Sequence, residues 1–213
     1  MSFKIVGTLS GVEADTTTSN ALKVSLYDPS GNALQVVPTY AGIALINIRQ
    51  SAAQGANTTV WGLYNSSSSK IVYIQSINLQ LFFDGTAVAT NMKYALMKMT
   101  GITTFSGGTI VTPSHKITSL SGAQVSQARF LDTGLTTTGG TAQAAFWNGA
   151  QGRVTQTTTV FDSTLFSIPT GSASGQLVGT NIQLAQNEAL ILQNLVTGVI
   201  GDNVLGSVEF LEH

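Results

Sequence analysis

Lys70-Ile71-Val72-Tyr73-Ile74-Gln75-Ser76-Ile77-Asn78-Leu79-Gln80-Leu81-Phe82-Phe83-Asp84 is the stretch on which the fold turns. From residue 73 its odd positions read Tyr73, Gln75, Ile77, Leu79, Leu81 and Phe83, while the even positions Ser76, Asn78 and Gln80 are polar. A side-chain period of two belongs to a strand with one buried face; a helix repeats every 3.6 residues or so. Asp84-Gly85 then supplies a turn. Downstream, Asn91 to Thr100 reads as a further strand carrying Met92, Tyr94, Leu96 and Met97, and upstream Thr58 to Asn65 reads as a short one. Near the C-terminus, Asn181 to Leu184 and Ala189 to Asn194 are strands separated by a tight polar turn. Leu205 to Leu211 closes the chain with Val208 and Phe210 facing one way.

Between Gly101 and Gly152 the pattern is broken by Gly107-Gly108, Pro113, Gly122, Gly134 and Gly139-Gly140. A structureless loop of that length does not suit a compact domain. The stretch reads instead as short strands or an excursion across the surface, with a short helix around Ala142 to Trp147. Val154 to Phe166 is Thr-rich and extended. The first 38 residues stand apart: Leu22, Val24 and Leu26 alternate with Lys23, Ser25 and Tyr27, a turn follows at Asp28 to Asn32, and Pro38 stops the next extended run. The expected architecture is all-β: a jelly-roll-like antiparallel β-sandwich over residues 39–213, preceded by an extended N-terminal arm or hairpin at 1–38.

Composition narrows the function. Of 213 residues, 9 are Lys or Arg and 10 are Asp or Glu, so charged residues make up 9%, against about 25% in an ordinary domain. Thr (28), Ser (21) and Gly (22) supply roughly a third of the chain. A net charge of −1 gives no reason to expect a nucleic-acid partner. With no cysteine there is no disulfide framework, thiolate metal site or Cys nucleophile. No apolar run approaches the ~20 residues of a membrane span, and Met1 to Gly7 does not read as a signal peptide, so a soluble product made in a cytoplasm is expected.

Catalytic and metal chemistry find little footing. His115 is the one interior histidine; its neighbour Ser114 sets up no triad geometry, and no nucleophile elbow is present, so a polar loop residue is expected. The acids are scattered, and Glu13-x-Asp15 lacks the further oxygens of a calcium loop. Val199-Ile200-Gly201-Asp202-Asn203 and Asp84-Gly85 could each offer one or two oxygens to an ion, but turn-forming Asp and Asn explain both more simply. Gly171 to Gly175 has no phosphate-loop lysine. The expectation is a protein that is not an enzyme and carries no cofactor or metal. Trp147, in the irregular middle region, and Trp61 are the candidates for an exposed binding platform; the competing reading puts both rings in the sandwich core or a subunit interface. Leu211-Glu212-His213 looks like either an affinity-tag junction or a native end.

With so little charge, the polar surface must be Thr, Ser, Asn and Gln, which cost less to bury at a contact than charges do. That composition fits a subunit of an assembly, in which an arm pairs along a neighbour's open sheet edge.

Gly7-Thr8-Leu9-Ser10-Gly11-Val12-Glu13-Ala14-Asp15, leading to Asn20 through Asp28, resembles the N-terminal part of structural proteins of tailed bacteriophages. Asn187-Glu188-Ala189-Leu190-Ile191-Leu192 is similar to the turn and apolar strand of phage jelly-roll proteins. The resemblance implies a virion component: a capsid decoration or cement protein, a homo-oligomer (a trimer in that class) whose partner is the major capsid protein. It implies no catalytic residue. The alternative expectation is a fibre or adsorption protein binding host surface glycans.

Overall fold

The computed structural model describes residues 38–117, 120, 122, 124–130, 135–153 and 182–213, together with backbone strands within 1–37 and at 164–168. The chain divides into two units, Met1–Val37 and Pro38–His213. In the first, β1 (Val6–Gly7), β2 (Ser10–Thr16), β3 (Leu22–Tyr27) and β4 (Ala33–Leu34) form a four-stranded antiparallel sheet in that order. The alternating run at Leu22 is β3, paired with β2 from Val12↔Leu26 to Thr16↔Leu22. The segment expected as an arm or hairpin is thus a small sheet of its own. The turn expected at Asp28 to Asn32 lies outside the described residues.

The second unit opens with β5 (Tyr40–Arg49), β6 (Thr59–Asn65), β7 (Val72–Phe83) and β8 (Asn91–Thr100). Five short strands follow: β9 (Thr104–Ser106), β10 (Thr109–Val111), β11 (Ser114–His115), β12 (Ser126–Phe130) and β13 (Thr136–Thr138). The chain returns through β14 (Thr141–Gly152), β15 (Thr164–Ile168), β16 (Gln183–Leu184), β17 (Glu188–Asn194) and β18 (Asp202–Glu212).

The antiparallel pairing is nested: β5 with β18, β6 with β17, β7 with β15 and β8 with β14. Nested pairing describes one long two-ply ribbon. Rolling the ribbon brings β18 against β7 and β17 against β8. Two sheets result, β11-β5-β18-β7-β15 and β10-β12-β6-β17-β8-β14, and β5 to β8 alternate between them. The arrangement is an all-β antiparallel sandwich with jelly-roll-like pairing. No helix occurs among the described residues. The helix expected around Ala142 to Trp147 is instead the first half of β14, whose pairing to β8 fixes extended backbone despite the alanines. Local helix propensity is a weak prior, and a partner strand overrides it.

The core fills the space between the sheets. Ile46 and Ile48 of β5, Ile77, Leu79, Leu81 and Phe83 of β7, Tyr94 and Leu96 of β8, and Val208 and Phe210 of β18 are all fully buried there. The odd-position pattern of β7 holds from Ile77 onward and reverses before it. Val72 and Ile74 point inward, and Tyr73 and Gln75 are only partly buried. A bulge is the cause: Glu209 faces Ser76 but Phe210 faces Ile74, leaving Gln75 as the extra residue. One added residue exchanges the two faces of a strand.

Of the stretch from Gly101 to Gly152, expected as short strands or an excursion, the part up to Gly140 carries the short strands β9 to β13 and the rest is the long strand β14. In this 101–140 excursion Ile102, Phe105 and Leu135 lie over the outer face of the β6–β17–β8 sheet and bury Ala95, Met97, Met99, Ala189 and Ile191 in a second core. The excursion also adds strands at an edge of each sheet, β12 beside β6 and β11 beside β5.

Candidate functional site

The rolled ribbon sends its connections to two ends. One end carries the 66–71 loop, the 185–187 turn and both ends of the excursion. The other carries the loops 50–58, 84–90 and 195–201 and the residue that ends β14, Arg153. Loops held by a rigid scaffold are where binding groups concentrate, and this second end is built around buried charge.

Arg153 and Asp202 are 3% and 1% exposed. Arg153 Nε donates to Asp202 Oδ1 at 2.7 Å and Nη2 to Oδ2 at 2.5 Å, a two-pronged pair. Two of the three remaining guanidinium protons reach both neighbouring loops: Nη1 donates to Thr90 Oγ1 at 2.8 Å and Nη2 to the Thr197 carbonyl at 3.0 Å. The Val199 N–H donates to Asp202 Oδ2 at 3.0 Å. A buried charge persists only when its hydrogen-bonding capacity is met, and here meeting it fixes the 84–90 and 195–201 loops to β14 and β18. Gln50 Nε2 donates to the Tyr94 hydroxyl at 2.9 Å in the same layer. Burial pushes the Tyr94 phenol well above its ordinary range, and the Asp202 charge adds to the effect.

The loops meet with no room to spare. Gly201 has φ +97, and a Cβ there would run into the backbone of Gly85. Only glycine suits that conformation and that approach together. The Asp84 N–H donates to the Gly201 carbonyl at 3.0 Å, and Gly201 N–H to the Gln50 carbonyl at 3.0 Å. Two clefts open on either side of Val199. One, of about 540 Å³, lies between Thr90, Asn91, Lys93, Arg153 and Thr197. The other, of about 560 Å³, lies between Asp84, Val88 and Ile200. The Asp84 carboxyl is held below its ordinary range, first by a hydrogen bond from Arg49.

The residues singled out in sequence are dispersed. Trp61 is fully buried in the main core, and its indole N–H donates to the Leu45 carbonyl at 3.2 Å, so it offers no binding platform. Trp147 is partly buried against the same core, and its ring lies over Gly149, where a Cβ would collide with it. Its neighbour Phe146, at a bulge in β14, is the exposed ring, at 45%. His115 stacks on Tyr40 with centroids 4.6 Å apart and forms part of β11. The Asp202 carboxylate is taken up by Arg153, and Asp84 pairs with Arg49 at 2.9 Å. Glu212 is fully buried, accepting from the Ser126 hydroxyl at 2.6 Å, and His213 pairs through its backbone with Ile71. Asp132, Asp162 and the Gly171 to Gly175 stretch lie outside the described residues. Among the described residues no three acids or histidines gather as metal ligands. Sequence reasoning passed over Arg153, Lys93, Thr90 and Thr197. Their one sequence signal is position, since each flanks or falls within a turn region next to a strand end.

No protein-family model, curated protein or solved structure matches the chain.

Proposed function

We propose that the protein is a structural virion subunit of the tailed-phage kind: a capsid decoration protein that binds and stabilises neighbouring capsid subunits, itself a closed trimer. The jelly-roll-like sandwich supports the reading, since viral capsid domains use that architecture. The observation that carries it is the outer face of the β5–β18–β7 sheet. Across those three strands run two rows, Leu45·Ser207·Asn78 and Asn47·Leu205·Gln80, with no charge in either. Leu45 is 54% exposed. The charges bordering these rows are already neutralised, Arg49 by Asp84 and Glu209 by Lys116. Amide, hydroxyl and leucine side chains surrender little hydration on contact, which is the chemistry of an interface core. The Met1–Val37 sheet adds two terminal strands, β1 and β4, able to extend a neighbour's sheet.

The test is electron microscopy of expanded capsids incubated with the protein, with light scattering for its oligomeric state. Full occupancy is expected for the native chain. Leu45→Asp, which places a charge on the uncharged rows, is expected to reduce occupancy at least ~10-fold while its circular dichroism stays native; a charge buried without a partner is enough for that. Unchanged occupancy for Leu45→Asp overturns the assignment of this face.

A further inference from the structure

Lys93 stands out in a chain with so few charges. Lys70, Lys98 and Lys116 each face a carboxylate, but among the described residues nothing pairs with or hydrogen-bonds to the Lys93 ammonium. It borders the ~540 Å³ cleft, a size typical of small-ligand sites. Among the described residues its lining holds no acid. Asp202 lies behind Arg153, spent on it, so the pair contributes no net charge and Lys93 leaves the cleft singly positive.

The other polar groups facing the cleft are equally unspent. Thr90 Oγ1 accepts from Arg153, which leaves its own proton free to donate. The Thr197 hydroxyl and the Asn91 amide have no side-chain partner among the described residues. Val196 and Val199 supply an apolar wall. The result is a set of hydroxyl and amide groups free to bond a ligand, one ammonium and an apolar surface. A hydroxylated ring with one apolar face and one carboxylate matches it group for group. A phosphate matches it poorly, because no helix N-terminus is present among the described residues and a single lysine provides only one charge.

We propose that this cleft binds an acidic saccharide, with Lys93 meeting the carboxylate and Thr90, Asn91 and Thr197 meeting ring hydroxyls. Arg153 is a positioning residue: it ties both threonine-bearing loops to Asp202 and touches no ligand. The site is separate from the uncharged sheet face, so it holds or fails independently of the assembly reading.

The experiment is titration of the full chain, by calorimetry and by amide chemical shifts, with short oligosaccharides containing galacturonic, glucuronic or sialic acid. Their methyl esters and inorganic phosphate are the controls. At least one acid is expected to bind with shifts at residues 90–93 and 197, and its ester about tenfold more weakly, as suits loss of a charge-assisted hydrogen bond. Lys93→Gln is expected to remove that tenfold preference with no change in melting temperature, since the side chain is exposed. The proposal is overturned by any of four results: no binding by any of the three acids, equal binding of acid and ester, an unchanged preference in Lys93→Gln, or phosphate binding as tight as the sugar's.

Discussion

On one sheet of the sandwich, Met97, Met99, Ala189 and Ile191 point away from the main core and lie beneath Phe105, Ile102 and Leu135. On the other sheet, the residues in the equivalent outward positions are Leu45, Asn47, Asn78 and Gln80, and Leu45 is half exposed. The two sheets share one inner core but differ in what their strands spend outward. β8 and β17 are apolar on both faces, so a cover is obligatory; burying each such side chain is worth about 1.5–3 kcal/mol. β5, β7 and β18 alternate, which satisfies the core and leaves a face that water tolerates. The chain devotes the 101–140 excursion to one face and leaves the other to amide and hydroxyl groups.

The largest expected effect comes from uncovering the covered face. Phe105 is 8% exposed; its ring stacks on Tyr64 with centroids 5.0 Å apart and rests over Gly62. Phe105→Ala should lower unfolding free energy by ~3 kcal/mol, the lower end for a buried ring because the second core is small. Guanidinium melts measure it, and limited proteolysis should cut within 101–140 first. Leu45→Ala on the open face should stay within about 0.5 kcal/mol. Equal losses at the two sites would erase the distinction between the faces.

Next in size is the contact that fastens the excursion. Glu212, at the end of β18 in the open sheet, is fully buried and accepts from the Val125 N–H at 3.0 Å, the Ser126 N–H at 3.0 Å and the Ser126 hydroxyl at 2.6 Å. Lys70 Nζ lies 3.8 Å away. The carboxylate therefore holds the return strand β12 of the covered sheet. Glu212→Gln removes the charge and turns an NH₂ toward donors, and should cost roughly 2 kcal/mol by denaturant unfolding. A neutral result would mean that its pairing to β6 and β10 holds β12 without the carboxylate.

The same contrast explains what the sequence allowed a reader to see. The alternating strands β7, β18 and β3 were legible because half their positions are polar. β5 alternates as well, through Ala44, Ile46 and Ile48 against Leu45, Asn47 and Arg49, but in its first half Ala41 to Leu45 hold no polar residue to mark the alternation. The face reversal in β7 has no local mark, because the bulge is set by its pairing with β18. The excursion was legible only as broken periodicity, since its short strands owe their conformation to β5, β6 and one another. Trp147 has two readings in the sequence, an exposed platform or a core ring; the bulges in β14 decide for the core side, turning it inward and Phe146 outward. The loop-end site was the least legible of all. Arg153 and Asp202 are 49 residues apart in the chain, and only the rolled ribbon brings them together.

The smallest expected effect lies at the border of the open face, where Arg49 Nε donates to Asp84 Oδ2 at 2.9 Å. That hydrogen bond, with lesser help from Asn203 and the Asp84 backbone, lowers the Asp84 carboxyl below its unfolded value, and slight burial opposes it. A lowered acid favours the folded state above its unfolded titration range, and that contribution is lost as pH falls through the folded value. Both side chains are more than a third exposed, at 57% and 38%, so solvent screening leaves the pair a few tenths of a kcal/mol. Stability measured from pH 5 down to pH 2 should therefore fall slightly more steeply in the native chain than in Arg49→Gln, and the gap should close in ~1 M salt. Identical slopes would show that this pair contributes nothing to folding, and that its work on the open face is confined to neutralising the charges that border the uncharged rows.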